Sequence, residues 1–299
     1  NIPLAYKIGN GAIVRDTLMD TVFPGFPKTF TFNNSFNVTG VGTYQALVYL
    51  ELGNDQNNYN DTLRQNFRVY NSVSQTIPYA ENFDSFSSCG TNNDCEATSC
   101  SMMNGWQNAV NLVEDDVDFR TNSGSTPSSG TGPSSDHTLG TNAGKYLYIE
   151  ASGACDTKVA ELISPCFNLS GITLPEASIW YHMLGANMGE LHVDILSDGK
   201  WIQDIVTPII GNQGNSWNKL SINLLAYVGK TINLRFRTIS GIGFASDFGL
   251  DDFGIEDISG PPVADFSPSE SAICLNSTIT LQDQTLQVPT QWKWTISPN

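Results

Sequence analysis

Five aspartates stand where oxygen-ligand chemistry could be done: Asp84, Asp118, Asp136, Asp251 and Asp252. They are scattered along the chain, yet each lies beside a strand-like run or in a turn at the end of one. No Lys or Arg is close in sequence to neutralise Asp251 and Asp252. Carboxylates brought together without cations repel one another, and a hard cation with oxygen ligands resolves the repulsion. The plainer alternative is solvated turn and cap residues, common in any acidic protein. Adjacent strand residues point to opposite faces, so Asp251 and Asp252 are not expected to act together across one glycosidic bond.

The three histidines read as hydrogen-bonded structural residues. His137 follows Asp136 in a turn, His182 lies in the strand Trp180-Tyr-His-Met183, and His192 projects with the polar face of Glu190-Leu-His-Val-Asp194. Cys89, Cys95 and Cys100 are separated by five and four residues, with no C-x₂-C knuckles and no histidine nearby. Disulfides in an oxidising compartment fit this spacing better than zinc. Cys155 and Cys166 bracket a short loop and are the expected pair; closing it contributes about 2–3 kcal/mol. Cys274 has no evident partner. There is no His-Glu-x-x-His helix, Gly-x-Ser-x-Gly elbow or phosphate loop, so no catalytic residue is expected.

The elements that must position these groups are strands. Thr43–Glu51, Glu190–Leu196 and Thr231–Arg237 alternate with period two, the last with Ile232, Leu234 and Phe236 on one face and Thr231, Asn233, Arg235 and Arg237 on the other. Such alternation predicts half-buried, half-wet strands, and many of them with Gly, Asn and Pro between predict sandwiches or jelly rolls. The fold class is all-β. With 14 Lys plus Arg against 30 Asp plus Glu, the net charge of −16 gives no footprint for nucleic acid or anionic membranes. No run approaches the ~20 apolar residues of a membrane span. Texture divides the chain into residues 1–77, 78–260 and 261–299, with Gly260-Pro261-Pro262 as a stiff linker. Both ends, Asn1-Ile-Pro3 and Ser297-Pro-Asn299, read as cuts from a longer polypeptide.

One set of phrases in the middle segment is specific as an ordered whole. It runs Asn82-Phe-Asp84, Gly105-Trp106, Asp115-Asp-Val-Asp-Phe119, Thr131-Gly-Pro-Ser-Ser-Asp-His-Thr138, Gly144-Lys-Tyr-Leu-Tyr-Ile-Glu-Ala-Ser152, Ser216-Trp217 and Gly249-Leu-Asp-Asp-Phe-Gly-Ile255. In this order the segment resembles a MAM domain, a jelly-roll module. The resemblance implies a structural Ca²⁺ or Na⁺ where the first and last strands meet, which supports the cation read from the five aspartates themselves. The opening Phe83-Asp84 and the insertion carrying Cys95 and Cys100 depart from the family pattern, so its disulfide connectivity does not transfer. Residues 261–299, with Trp292-Lys-Trp294, resemble the first half of a PKD domain. Residues 1–77 resemble an Ig-like or CARDB-like sandwich.

This order is similar to that of bacterial surface proteins exported by a type IX-like system. It implies a non-catalytic adhesion or binding region of a large secreted or cell-surface protein, with a protein or glycan on a cell or matrix surface, or other domains of the same chain, as partner. The alternatives are an accessory region of a secreted hydrolase such as a metallopeptidase, or a glycan-binding module. The last would display aromatics on one concave sheet, with Trp201, Trp217 and Tyr227 as candidates.

Overall fold

Period-two patterning becomes strands throughout. The computed structural model describes residues 1–23, 25–38, 40–54, 61–70, 74–89, 94–95, 100–153, 155–260, 266–269 and 277–283. The Pro261-Pro262 linker, Cys274, Trp292, Trp294 and the Asn-rich stretch 55–60 lie outside them. The chain divides into two compact units, Asn1–Ser72 and Val73–Asn299.

In the first unit β1 (Ile2–Ile8), β2 (Val14–Leu18), β3 (Gly42–Leu50) and β4 (Thr62–Val69) form an antiparallel sheet in the order β2-β1-β3-β4. Leu4 faces Leu50 and Tyr6 faces Val48, which gathers the apolar side chains on one face. Tyr6 is buried edge-on against Phe32 and donates its hydroxyl to Asn34 O at 2.9 Å. Among the described residues this unit has one sheet, where an Ig-like sandwich needs two.

The second unit is a sandwich of short strands: β5 (Ser74–Gln75), β6 (Tyr79–Glu81), β7 (Gln107–Asn108), β8 (Arg120–Asn122), β9 (Tyr146–Ile149), β10 (Val159–Ile163), β11 (Cys166–Asn168), β12 (Pro175–Met183), β13 (Glu190–Ser197), β14 (Lys200–Ile202), β15 (Ile209–Ile210), β16 (Asn218–Asn223), β17 (Thr231–Ile239) and β18 (Phe248–Asp257). One sheet runs β14-β13-β17-β10-β7, with β11, β15 and β5 attached. The other runs β16-β12-β18-β9-β8, with β6 also paired to β18. Between them lies one apolar core. Leu162, Val193, Leu234 and Phe236 come from the first sheet, and Leu147, Ile179, Phe248 and Phe253 from the second. Trp106 stands at its centre, its ring 5.2 Å from Phe83 and 5.1 Å from Phe253. A separate antiparallel pair, β19 (Phe266–Pro268) and β20 (Leu281–Asp283), follows.

Three expectations are corrected. Cys155 pairs with Cys95 and Cys89 with Cys100, at Cα separations of 6.1 and 5.7 Å, leaving Cys166 free. The expected Cys155–Cys166 bridge fails because β10 runs extended between the two cysteines, and an extended strand carries its ends beyond disulfide reach. The middle of the polar face of β17 is not wet: Asn233 and Arg235 are buried along with Ile232, Leu234 and Phe236, while Arg237 is half-buried and Thr231 exposed.

The third correction is in β18. Ser178 pairs with Gly254 but Trp180 pairs with Asp251, so Ile179 faces two residues, Asp252 and Phe253. This is a β-bulge, and Asp252 takes the left-handed conformation at φ 43°. The bulge breaks the alternation that would send Asp251 and Asp252 to opposite faces. Both carboxylates reach the same loop.

Candidate functional site

The bulge coincides with a change of neighbour. Along one edge of β18, Phe248–Leu250 pair with β9, whereas Phe253–Ile255 pair with β6. The loop carrying Asp136-His137-Thr138 enters at the gap. Asp251, fully buried, accepts His137 N at 2.8 Å on Oδ2 and Asp252 N at 2.8 Å on Oδ1. Asp252 Oδ2 lies 2.5 Å from His137 Nδ1, and its Oδ1 accepts Thr138 Oγ1 at 2.7 Å. Asp136 accepts the amides of Leu139 and Thr141 at 2.7 and 3.0 Å. It packs so closely on Gly144 that a Cβ there would overlap its carboxylate. One residue on, Lys145 N donates to Asp84 Oδ1 at 2.7 Å. The Lys145 ammonium reaches Phe86 O.

Four of the five aspartates therefore gather around this gap. Burial first, then the charges of Asp252 and Asp136, push Asp251 up to about 8. Asp118 does not join them. It accepts Cys100 N at 3.2 Å, and its charge acts on Asp115. Among the described residues, one group of three acid, histidine or cysteine ligand atoms lies within 4.8 Å of one another: Asp94, Cys95 and Cys155, whose thiols are joined as a disulfide. The carboxylates at the gap are oxygen donors suited to a hard cation, but no three of them meet at that spacing. Backbone oxygens or water would have to complete the shell.

The loop is clamped by aromatics. His137 stacks on Trp180 with centroids 3.8 Å apart, and Trp217 Nε1 donates to Ser135 O at 3.1 Å. Gly249 lies beneath: a Cβ there would stand 2.9 Å from both Pro133 Cγ and Trp217 Cη2. Trp217 thus holds the loop rather than facing outward. Trp201 lies under the Arg235 guanidinium, 4.4 Å from its ring centroid, and Tyr227 packs against the core from a 3₁₀ turn, Leu225–Tyr227. The three aromatics do not share one displayed face.

Sequence reasoning missed two polar groupings. On the outer face of β13 and β17, fully buried Asp194 receives Arg235 Nη2 at 2.7 Å, Arg237 Nε at 3.0 Å and Asp204 N at 2.9 Å. Burial opposes its charge, but the Arg237, Asp204 and Arg235 hydrogen bonds prevail and hold Asp194 below the usual carboxylate range. The signal was present: two arginines and an aspartate lie on the polar faces of two alternating strands. The second grouping is Asp247 with Glu150, both buried. Burial, then the charge of Glu150, pushes Asp247 up to about 7.

One end of the sandwich displays apolar side chains. Leu112, Val113, Ile242 and Phe244 are 90, 74, 71 and 56% exposed. Their loops flank one segment: Asp116 N donates to Val159 O and Ser240 N to Lys158 O, both at 2.9 Å, and Gly243 N to Asp156 Oδ1 at 2.7 Å. Leu112 holds a left-handed conformation at φ 64° while lying almost fully in solvent.

The family model of the MAM domain, meprin/A5/mu, matches residues 91–259. Neuropilin-1a of Danio rerio is 31% identical over 160 residues, 51% of this chain and 17% of the relative. Human MAM domain-containing protein 2 is 33% identical over 130 residues, 43% of this chain and 18% of the relative. The chain thus spans less than a fifth of the length of either. Among solved structures, the K1 cleaved adhesin domain of Lys-gingipain from Porphyromonas gingivalis aligns at a TM-score of 0.40 and 14% identity, over 60% of this chain and 98% of that one. The CBM22-1 xylan-binding domain of Paenibacillus barcinonensis aligns at 0.34 and 12% identity, over 63% of this chain and 98% of that one. Both likenesses are too distant to carry anything about ligands.

Proposed function

This chain belongs to the MAM family, and from that premise we propose that it is a non-catalytic binding region of a larger extracellular protein, docking a protein partner through the apolar tip of its sandwich. The observation that carries the reading is the group Leu112, Val113, Ile242 and Phe244 on adjoining loops. Exposed apolar side chains gathered on loops at one end of a rigid scaffold are a common form of protein-binding surface. The backbone of Leu112 adds to it, since a branched residue in the left-handed region is strained and such strain concentrates at functional positions. A protein fits better than a glycan, because Trp201, Trp217 and Tyr227 are occupied separately.

The test uses the whole chain, labelled and applied to fixed cells and to extracellular matrix. Leu112→Asp with Phe244→Asp should weaken saturable binding at least tenfold, roughly 1.4 kcal/mol, with the melting temperature unchanged. Undiminished binding would refute the tip as the docking surface.

A structural Ca²⁺ or Na⁺ at the bulge of β18 belongs to the same proposal, with Asp84, Asp136, Asp251 and Asp252 as the acidic residues and Asp118 left out. Its support is the concentration of buried carboxylate without matching cationic charge. Such an ion would supply charge compensation and fix the Asp136–Thr138 loop. Melting temperatures in EDTA and in Ca²⁺ should differ by several degrees, and Asp251→Asn should remove the difference. Identical melts would leave these residues as loop anchors.

A further inference from the structure

The sheet face that carries the bulge holds a second, separate group of oxygens. Leu147, Ile149, Phe248 and Leu250 point into the core, so the alternate residues Tyr148, Glu150, Asp247 and Gly249 point the other way. Register confirms the grouping, since Tyr148 pairs with Gly249 on one side and with Arg120 on the other. Asp247, Glu150 and Tyr148 are 0, 2 and 0% exposed.

Each carboxylate has one oxygen fixed and one left over. Asp247 Oδ1 accepts Ala151 N at 3.0 Å, and Glu150 Oε1 accepts Ser152 N at 2.9 Å. Asp247 Oδ2, Glu150 Oε2 and the Tyr148 hydroxyl are buried without a hydrogen-bond partner. Arg120 is the cation of this group, and its Nη2 is drawn away to the carbonyls of Asp94 and Cys95. Its guanidinium lies beside the Tyr148 hydroxyl and opposes the upward push that burial gives that phenol. One positive charge therefore stands against two carboxylates. Buried polar atoms are almost always satisfied, and a surplus buried charge is strongly unfavourable unless something compensates it. Three unpartnered oxygens on one sheet face, with one negative charge in excess, are a donor set for a dehydrated hard cation.

A cavity adjoins the group without being lined by it. Ser125–Ser134, Leu184 and Asn215 line this cavity of about 430 Å³. Three of its lining residues stand against Asp247: Thr131 Oγ1 accepts Asp247 N at 2.9 Å, the Thr126 side chain lies close enough to oppose the upward push on the carboxyl, and a Cβ on Gly132 would stand 3.1 Å from Asp247 Cβ.

We infer that Asp247, Glu150 and Tyr148 form a cation-binding site beneath the Ser125–Ser134 loop, distinct from the aspartates at the bulge. Charge balance with Arg120 favours a monovalent ion of Na⁺ type over a divalent one.

The experiment starts from the whole chain dialysed into choline chloride with EDTA. Na⁺ in one arm and Ca²⁺ in the other, the latter without EDTA, are then added at constant ionic strength. Two proteins that both carry Asp251→Asn, and so lack the bulge site, are compared with the unmodified chain: one otherwise intact, and one with Asp247→Asn added. In the first, Na⁺ should still raise the melting temperature by roughly 5 °C when it saturates the site. In the second this increment should vanish. A rise from Ca²⁺ alone, lost when Asp247→Asn is added, would keep the site and correct the ion. A rise that survives the added Asp247→Asn, or no rise in Asp251→Asn with either ion, would overturn it. Should the double variant not fold, crystals of the unmodified chain soaked in Rb⁺ decide. An anomalous peak between Asp247 Oδ2 and Glu150 Oε2 is expected, and a water or nothing there refutes the site.

Discussion

His137 lies flat against Trp180, the two rings 19° from parallel with centroids 3.8 Å apart, and its Nδ1 stands 2.5 Å from Asp252. A single side chain thus ties the loop to β12 by its face and to β18 by its edge. His137→Ala should cost about 1–2 kcal/mol, the sum of a stacked pair and a part-buried hydrogen bond. Urea unfolding measures it, and limited proteolysis should show new cleavage between residues 131 and 141. Unaltered stability and an uncut loop would mean that Trp217 and the Asp251 and Asp252 hydrogen bonds to His137 N and Thr138 hold the segment without the imidazole.

Gly249→Ala and Gly254→Ala make a matched pair within β18. At Gly249 the new methyl would meet Pro133 and Trp217 at 2.9 Å, whereas at Gly254 its nearest neighbours lie at 3.7 Å. The first should destabilise by about 1–3 kcal/mol through overpacking. The second should fall within about 0.5 kcal/mol of the unmodified chain. Thermal melts of the two variants side by side check it.

The disulfides differ in the loops they close. Cys95–Cys155 spans 60 residues and Cys89–Cys100 spans 11. Chain entropy assigns about 4 and 3 kcal/mol to these, so Cys155→Ser should lower the melting temperature more than Cys89→Ser. Cys166 is free and half-buried, and burial pushes its thiol up. A maleimide applied to the native chain should label it slowly, and peptide mapping should find Cys89, Cys95, Cys100 and Cys155 unlabelled.

Stability should fall as pH rises. Burial, ahead of neighbouring charge, raises Asp251 to about 8, and Asp247 and Asp115 to about 7, from an unfolded value of 3.8. Each binds its proton more tightly folded than unfolded, so its contribution is full below 3.8 and is lost as pH passes through about 7 to 8. Asp194 and Asp257, both lowered, act in the opposite sense, and only below 3.8. In EDTA and choline chloride, melts at pH 5 should therefore lie several degrees above those at pH 8.5. Asp251→Asn should flatten the slope.

What was legible in the sequence is what depends on neighbours along the chain. Ile232, Leu234 and Phe236 announce the core face of β17 by spacing alone, and the ordered phrases from Asn82 to Ile255 mark the MAM unit. The convergence of Asp84, Asp136, Asp251 and Asp252 followed from the idea that first and last strands meet. What failed depends on neighbours across the sheet. Asp118 looked equivalent to the others until the segment leading into β8 set it against Cys100 and Asp115. Arg235 looked solvent-facing until Asp194 and Trp201 covered it. Cys155 found its partner 60 residues back because the fold, not the loop length, sets which sulfurs meet.

The bulge at Asp252 has one more consequence. Remove that residue and β18 reads Phe-Gly-Leu-Asp-Phe-Gly-Ile, an unbroken alternation that would set Ile179 opposite Phe253 and leave every inward side chain inward. The strand can do without Asp252; the loop that it holds through His137 and Thr138 cannot. A one-residue deletion here would act like a frameshift confined to the surface. It would separate what folds the domain from what shapes its outer face more cleanly than any substitution.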